Sequence, residues 1–190
     1  MDVITTHINA DFDCLGAMIA AKKLYPEAEM VFPGAQERNL REFFLRSTIY
    51  AYNFKRIKDI DLDLVKRLIL VDVCQPERIG PFDVVATRPD VTIHIYDHHP
   101  VDESLQPELA RIEPVGATVT IFAKIFMEQG IRPGPDEATL MMLGLYEDTG
   151  SLLFNSTTED DFQAAAFLLS CGANLNTVAD FLTQELTSDQ

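Results

Sequence analysis

Apolar residues recur along this chain at two spacings, and the spacing changes from segment to segment. DVITTH (2–7), AEMVF (28–32), RLILVDV (67–73) and VTIHIY (91–96) are short runs rich in β-branched residues, the pattern of buried strands. CLGAMIAAKKLY (14–25) has helical apolar spacing and high alanine content, and Pro33 and Gly34 close the strand that follows it. ERNLREFFLRSTIYAY (37–52) predicts an amphipathic helix in which Arg38, Arg41 and Arg46 alternate with apolar positions. Beyond residue 115 the pattern is helical, over 117–129, 135–147, 158–171 and 174–186, punctuated by Gly130, Pro133, Gly134, Gly150 and Gly172. Strands intermixed with helices predict an α/β fold: a mostly parallel central sheet with helices on both faces, and a helical C-terminal part.

Composition bounds this picture. A chain of 190 residues that is 47% hydrophobic and 24% charged is long enough for one domain with a proper core, so residues 1–190 are expected to form a single unit. No apolar stretch approaches the roughly 20 residues that span a bilayer, and Met1 is followed by Asp2 rather than by a basic and apolar leader, which predicts a cytoplasmic protein with no membrane partner. Cys14, Cys74 and Cys171 are far apart, in apolar surroundings and without a C-x-x-C, which suits reduced, buried thiols. The net charge of −15 is lopsided: every Lys and Arg lies at or before Arg132, whereas acids continue to Asp189. Such a surface repels polyanions and excludes tight binding of long nucleic acid by this chain alone.

Several polar residues interrupt the apolar pattern. His7, Asp11 and Asp13 form H-x-x-x-D-x-D after the first strand, Asp72 sits inside LILVDVC, Asp97, His98 and His99 follow IHIY, and Asp148 ends a helix in LYEDTG. Three of these sets fall at the carboxyl ends of strands, the edge of an open α/β sheet where ligands bind. Each also has a plainer explanation. Asp13 is a candidate N-cap for the helix near Cys14 and Asp11 a turn former. Asp72 could cap a neighbouring loop, although a carboxylate between Leu70, Val71, Val73 and Cys74 costs about 2–7 kcal/mol unless paired or metal-bound. Asp148 could be solvated beside Gly150, and His94, alternating with Ile93 and Ile95, reads as structural. Taken together the sets fit one object. Asp11, Asp13, Asp72 and Asp148 supply the charge that two divalent cations neutralise, and His7 and His98 add one imidazole to each. Hard oxygens with imidazole and no thiolate suit Mn²⁺, with Mg²⁺, Co²⁺ or Fe²⁺ as substitutes.

The ordered set HINADFD, the Asp72 strand, DHH, VGATVT (115–120) and EDTG resembles the motifs of the DHH phosphoesterase superfamily over nearly the whole chain. That superfamily includes manganese-dependent inorganic pyrophosphatases, short-RNA and pAp phosphodiesterases, cyclic dinucleotide phosphodiesterases and single-strand exonucleases. The resemblance implies that His7, Asp11 and Asp72 hold one metal and that Asp13, Asp72, His98 and Asp148 hold the other. It further implies that His99 contacts the phosphate, with Asp97 supporting it or serving as an auxiliary ligand. The implied activity is Mn²⁺-dependent hydrolysis of phosphodiester or phosphoanhydride bonds in small nucleotides or short oligonucleotides, by a water activated between two metals. Ala10 stands where the first motif commonly has proline. Members also usually carry a second, smaller domain with a glycine-rich segment that closes over the substrate and supplies phosphate-gripping bases, and residues 1–190 do not include it, so further domains after Gln190 are an expectation. The alternative is a regulatory or nucleotide-binding DHH module of a larger protein, since some bacterial tRNA nucleotidyltransferases resemble this arrangement.

Overall fold

The apolar runs become strands that are buried on both sides. Ile4, Ile69, Val71 and Tyr96 join one core cluster, while their strand neighbours Val3, Leu68, Leu70, Ile93 and Ile95 join the other, as a pleat of period two dictates. A computed structural model describes residues 1–46, 52–100 and 104–182. Its strands are β1 (Asp2–Thr5), β2 (Glu29–Val31), β3 (Phe54–Lys55), β4 (Arg67–Val71), β5 (Thr92–Asp97) and β6 (Leu109–Ile112), in the sheet order β3-β2-β1-β4-β5-β6. All five pairings are parallel, so the mostly parallel sheet of the sequence is wholly parallel among the described residues.

The helices are α1 (Phe12–Leu24), α2 (Arg38–Arg46), α3 (Asp83–Ala86), α4 (Thr118–Gln129), α5 (Pro135–Asp148), α6 (Glu159–Ser170) and α7 (Leu175–Leu182). They cover the two faces unequally. The long helices pack into the cluster that holds Ile4 and Ile69, whereas the opposite face is closed by α3 and short 3-10 turns carrying Ile79 and Phe82. The remainders of the helices predicted over 37–52 and 174–186 lie partly outside the described residues. No described helix is long and apolar enough to cross a membrane.

Two features aim the chain at one place. From β1 the sheet grows through β2 to β3, and from β4 it grows the other way through β5 to β6, which makes the β1/β4 boundary a topological switch point. Thr5 pairs with Leu70, so these two strands end level and release His7 and Asp72 side by side. Gly144 then lets α5 press against α1, because a Cβ there would stand 2.7 Å from Asp13 Cα. One turn later α5 delivers Asp148 to the same edge.

Candidate metal centre

Asp72 is the centre of the cluster. It follows β4 in a left-handed conformation (φ 57°), and its main-chain N–H donates to Tyr96 O at 2.9 Å. Its carboxylate is 2% exposed and turns its two oxygens in opposite directions. Oδ2 lies 3.4 Å from His7 Nε2, and Oδ1 lies 3.4 Å from His98 Nε2. Thr118 Oγ1 donates to Oδ1 at 2.9 Å.

Each histidine is oriented by its far nitrogen. His7 Nδ1 donates to Ile8 O at 2.8 Å, and His98 Nδ1 donates to Val115 O at 3.1 Å, so both rings present Nε2 to the cluster. His98 Nε2 is 3.3 Å from Asp148 Oδ2 as well, yet this buried atom has no aligned hydrogen bond. A buried nitrogen set among carboxylate oxygens with no aligned hydrogen bond is a place that a proton fills in the free molecule and a cation could fill instead.

The aspartates of the first motif divide their work differently from the simplest expectation. Asp11, not Asp13, is the N-cap of α1, its carboxylate accepting Cys14 N–H at 3.0 Å, and this starts the helix at Phe12, two residues before the periodicity predicts. Asp13 is fully buried and accepts the first amides of α4, from Thr118 at 2.7 Å and Val119 at 3.0 Å. Among the described residues, two four-membered groups have their donor atoms within 4.8 Å of one another: His7, Asp11, Cys14 and Asp72, and Asp13, Asp72, His98 and Asp148. The groups share Asp72, and their carboxylates and imidazoles fit two divalent cations, with one sulfur, the Cys14 thiol, standing in the first group where the sequence predicted none.

The electrostatics carry the same message. Burial, with the Asp72 and Asp11 carboxylates, pushes Asp148 up to about 6 against the pull of His98. Burial and the Asp148 and Asp72 charges raise Asp13 well above its ordinary range, and burial with Asp72 raises Asp11. Asp72 goes the other way: burial opposes its charge, but His7 and His98 hold it well below the usual carboxylate range. Burial also opposes a charge on His98, and the adjoining Asp148 and Asp72 carboxylates outweigh it, pushing the imidazole up to about 12. In the metal-free molecule that imidazolium is the counter-charge a divalent cation would replace.

Asp97 and His99 border these groups: His99 Nδ1 lies 3.6 Å from Asp72 Oδ1, and His99 forms a smaller group with Asp72 and His98. Asp97 is fully buried at the end of β5, and its Oδ1 accepts the His99 main-chain N–H at 3.1 Å and Nδ1–H at 2.8 Å. The His99 side chain is 39% exposed and lines an open cleft of about 550 Å³ with His7, Asn9, Asp11, Asp72, Arg78 and Asp148. Three participants escaped the sequence reading. Cys14 Sγ accepts from Thr6 Oγ1 at 2.9 Å and lies 3.1 Å from His7 Nε2, with burial keeping it a neutral thiol. Glu147 Oε2 accepts Phe12 N–H at 2.7 Å and groups with Asp11 and Asp148. Arg78 lines the same cleft. The Glu147 contact joins residues remote in sequence, and the Cys14 contacts depend on how the loop between β1 and α1 folds, so no local pattern announces them.

Residues 3–145 match the family model described as the DHH family, N-terminal domain. The chain is 56% identical over 191 residues to an A-adding tRNA nucleotidyltransferase of Geobacter sulfurreducens, a match that covers 100% of this chain and 22% of that protein. It is 40% identical over 81 residues to a protein of Deinococcus radiodurans named as a probable manganese-dependent inorganic pyrophosphatase, covering 42% of this chain and 26% of the other. Among solved structures, an exopolyphosphatase-related protein from Bacteroides fragilis superposes with a TM-score of 0.78 at 18% identity, covering 95% of this chain and 55% of that one. The last likeness concerns the fold alone.

Proposed function

The chain belongs to the DHH family, and on that premise we propose that it is a divalent-metal-dependent phosphoesterase domain, loaded with Mn²⁺, that hydrolyses phosphodiester or phosphoanhydride bonds of small phosphorylated or nucleotide substrates. The observation that carries the proposal is the divided carboxylate of Asp72, one oxygen facing His7 and the other His98, each at 3.4 Å. A single buried acid shared between two ligand groups is the arrangement a paired-cation hydrolase needs.

When bound, the cations would polarise phosphoryl oxygens and make a water acidic enough to attack at neutral pH. Asp11, Asp13, Asp72 and Asp148 would hold the cations, and His7 and His98 would complete each group from rings locked by the Ile8 and Val115 carbonyls. Asp97 holds the proton of His99 on Nδ1, which turns Nε2 towards the cleft, where it can meet a phosphoryl oxygen as charge develops in the transition state. The cleft is open and acidic, which favours short substrates over long polyanions.

A second reading has its own support. The chain spans 22% of the length of the Geobacter sulfurreducens A-adding tRNA nucleotidyltransferase that it matches from end to end. On that reading the domain serves a larger nucleotide-transferring protein as a nucleotide-binding or regulatory module. Hydrolysis of bis(p-nitrophenyl) phosphate decides between the two. Release of p-nitrophenolate that depends on Mn²⁺ supports the phosphoesterase, whereas Mn²⁺ binding without turnover of this ester, pAp, a dinucleotide or pyrophosphate supports the module.

A further inference from the structure

The cleft above the ligands is bordered by the carboxylates of Asp11, Glu37, Asp72, Glu77 and Asp148, and by a single Arg or Lys among the described residues, Arg78. Its main-chain oxygen accepts Ile8 N–H at 2.8 Å, which fixes the root of the side chain against the loop that carries His7. The guanidinium has one side-chain partner, a long contact of 3.4 Å from Nη1 to Gln75 Oε1, and no carboxylate of a described residue pairs with it. Arg38, Arg56, Arg67, Arg88 and Lys124 have carboxylate partners, whereas Arg78, like Lys22 and Arg132, is met only by uncharged oxygens; what sets Arg78 apart is its place on the cleft, in a chain with a net charge of −15.

A guanidinium presents five donors in a planar fork that matches phosphate oxygens two at a time. One long contact to an amide leaves most of those donors unused, beside a cleft whose other charged walls repel anions. We propose that Arg78 is the phosphate-gripping residue of this domain, and that it takes a phosphate other than the one being cleaved. The preferred substrates are then nucleotides or condensed phosphates that carry a second anionic phosphoryl group, and that group sets their affinity. The proposal rests on the phosphoesterase reading for the scissile phosphate, and it gives the domain a gripping base of its own.

The test separates the two. Adenosine 5′-monophosphate, which offers a phosphate dianion and neither a phosphodiester nor a phosphoanhydride bond, is titrated calorimetrically into the Mg²⁺-loaded chain, with metal content and adenosine release measured alongside. Arg78→Ala is expected to weaken binding about tenfold at unchanged metal content, with Arg78→Lys intermediate because the ammonium keeps the charge but loses the fork. The KM for bis(p-nitrophenyl) phosphate, whose only charged group is the scissile phosphate, should rise far less than the AMP dissociation constant in Arg78→Ala, since only the general field of the cleft changes for it. Equal AMP affinity in the native chain and Arg78→Ala, absence of saturable AMP binding by the native chain, or a rise in KM for bis(p-nitrophenyl) phosphate as large as the loss of AMP affinity would each overturn the assignment. Absence of hydrolysis by the native chain, with the AMP series as expected, would instead overturn the phosphoesterase reading alone.

Discussion

Asp13 accepts the main-chain N–H of Thr118 at 2.7 Å, so a candidate ligand carried by the start of α1 is held by the first turn of α4, 105 residues away. The same residue gives its hydroxyl to Asp72 at 2.9 Å. Thr118 therefore fixes two carboxylates at once, one through its backbone and one through its side chain.

Thr118→Val keeps the shape and the amide but removes the hydroxyl. A hydrogen bond to a buried charge contributes about 1.5–3 kcal/mol, so urea unfolding of the metal-free variant should show a loss of that order, with Thr118→Ser restoring most of it. A variant as stable as the native chain would mean that the hydroxyl is dispensable to Asp72.

Asp72→Asn tests the sharing of one acid between two ligand groups. Asparagine tolerates the left-handed backbone at this position, so the fold should survive. Calorimetry should show two Mn²⁺ per native chain and a weakening of both in the variant, beyond the roughly 10–100-fold that follows loss of a mere supporting partner. Loss of a single cation with the other at native affinity would refute the bridging role.

His98 and His99 are adjacent and should behave differently. His98→Ala removes a nitrogen that faces Asp72 and Asp148 and should cost one metal. His99→Ala should keep both metals and lose roughly 10²–10³-fold in kcat, the scale of removing one preorganised donor to a transition state. Equal metal content and equal residual turnover in the two variants would contradict this division.

Asp11 has two duties that can be separated. Asp11→Ala should lose metal at the His7 group and, through the missing cap, about 0.5–2 kcal/mol of stability even in chelator. Asp11→Ser should recover the stability, because serine caps as well as aspartate does, but not the metal. Melting curves with and without Mn²⁺ separate the two effects.

The metal-free chain should be most stable in mild acid. His98, raised to about 12, contributes stability that is full below 6.5 and declines as pH rises towards its folded value. Asp148, raised to about 6, binds its proton more tightly folded than unfolded, so stability grows as pH falls from 6 to the ordinary carboxylate range. Asp72, held low, withdraws its contribution below about 3.8. The melting temperature in chelator should therefore fall from pH 6 to pH 8, whereas with Mn²⁺, which displaces the same protons, it should rise over that interval. A rise in chelator as well would show that these groups do not govern the profile.

Much of this was legible in the sequence because it is local. Buried parallel strands announce themselves as continuous apolar runs, and β1, β2, β4 and β5 coincide with the segments predicted for them. The edge strands β3 and β6 do not: Phe54–Lys55 is a two-residue pairing, and LARI is only partly buried and has no β-branched run. The short helix α3 is a single turn, below what periodicity can detect. Within the cluster the sequence singled out His7, Asp11, Asp13, Asp72, Asp97, His98, His99 and Asp148. It could not show that Asp11, read as a turn former, caps α1, nor that Asp13, read as that cap, serves α4 instead, because the amides that donate to Asp13 come from α4. Arg78 escaped for a related reason, since an arginine in QPERIG looks like any solvated cation until the loop carrying His7 folds over its backbone.

The double employment of Asp11 and Asp13 bears on how such domains age. A lineage relieved of catalysis would still need Asp11 to begin α1 and Asp13 to hold α4, so selection for folding alone would preserve half of the acidic signature. His99 has no such second employer: its contacts are with Asp97, Asp72 and the ring of His98, on a partly exposed side chain. Among diverged copies, then, the aspartates record descent, and under the proposed role of His99 the fate of that histidine tells a working domain from a retired one.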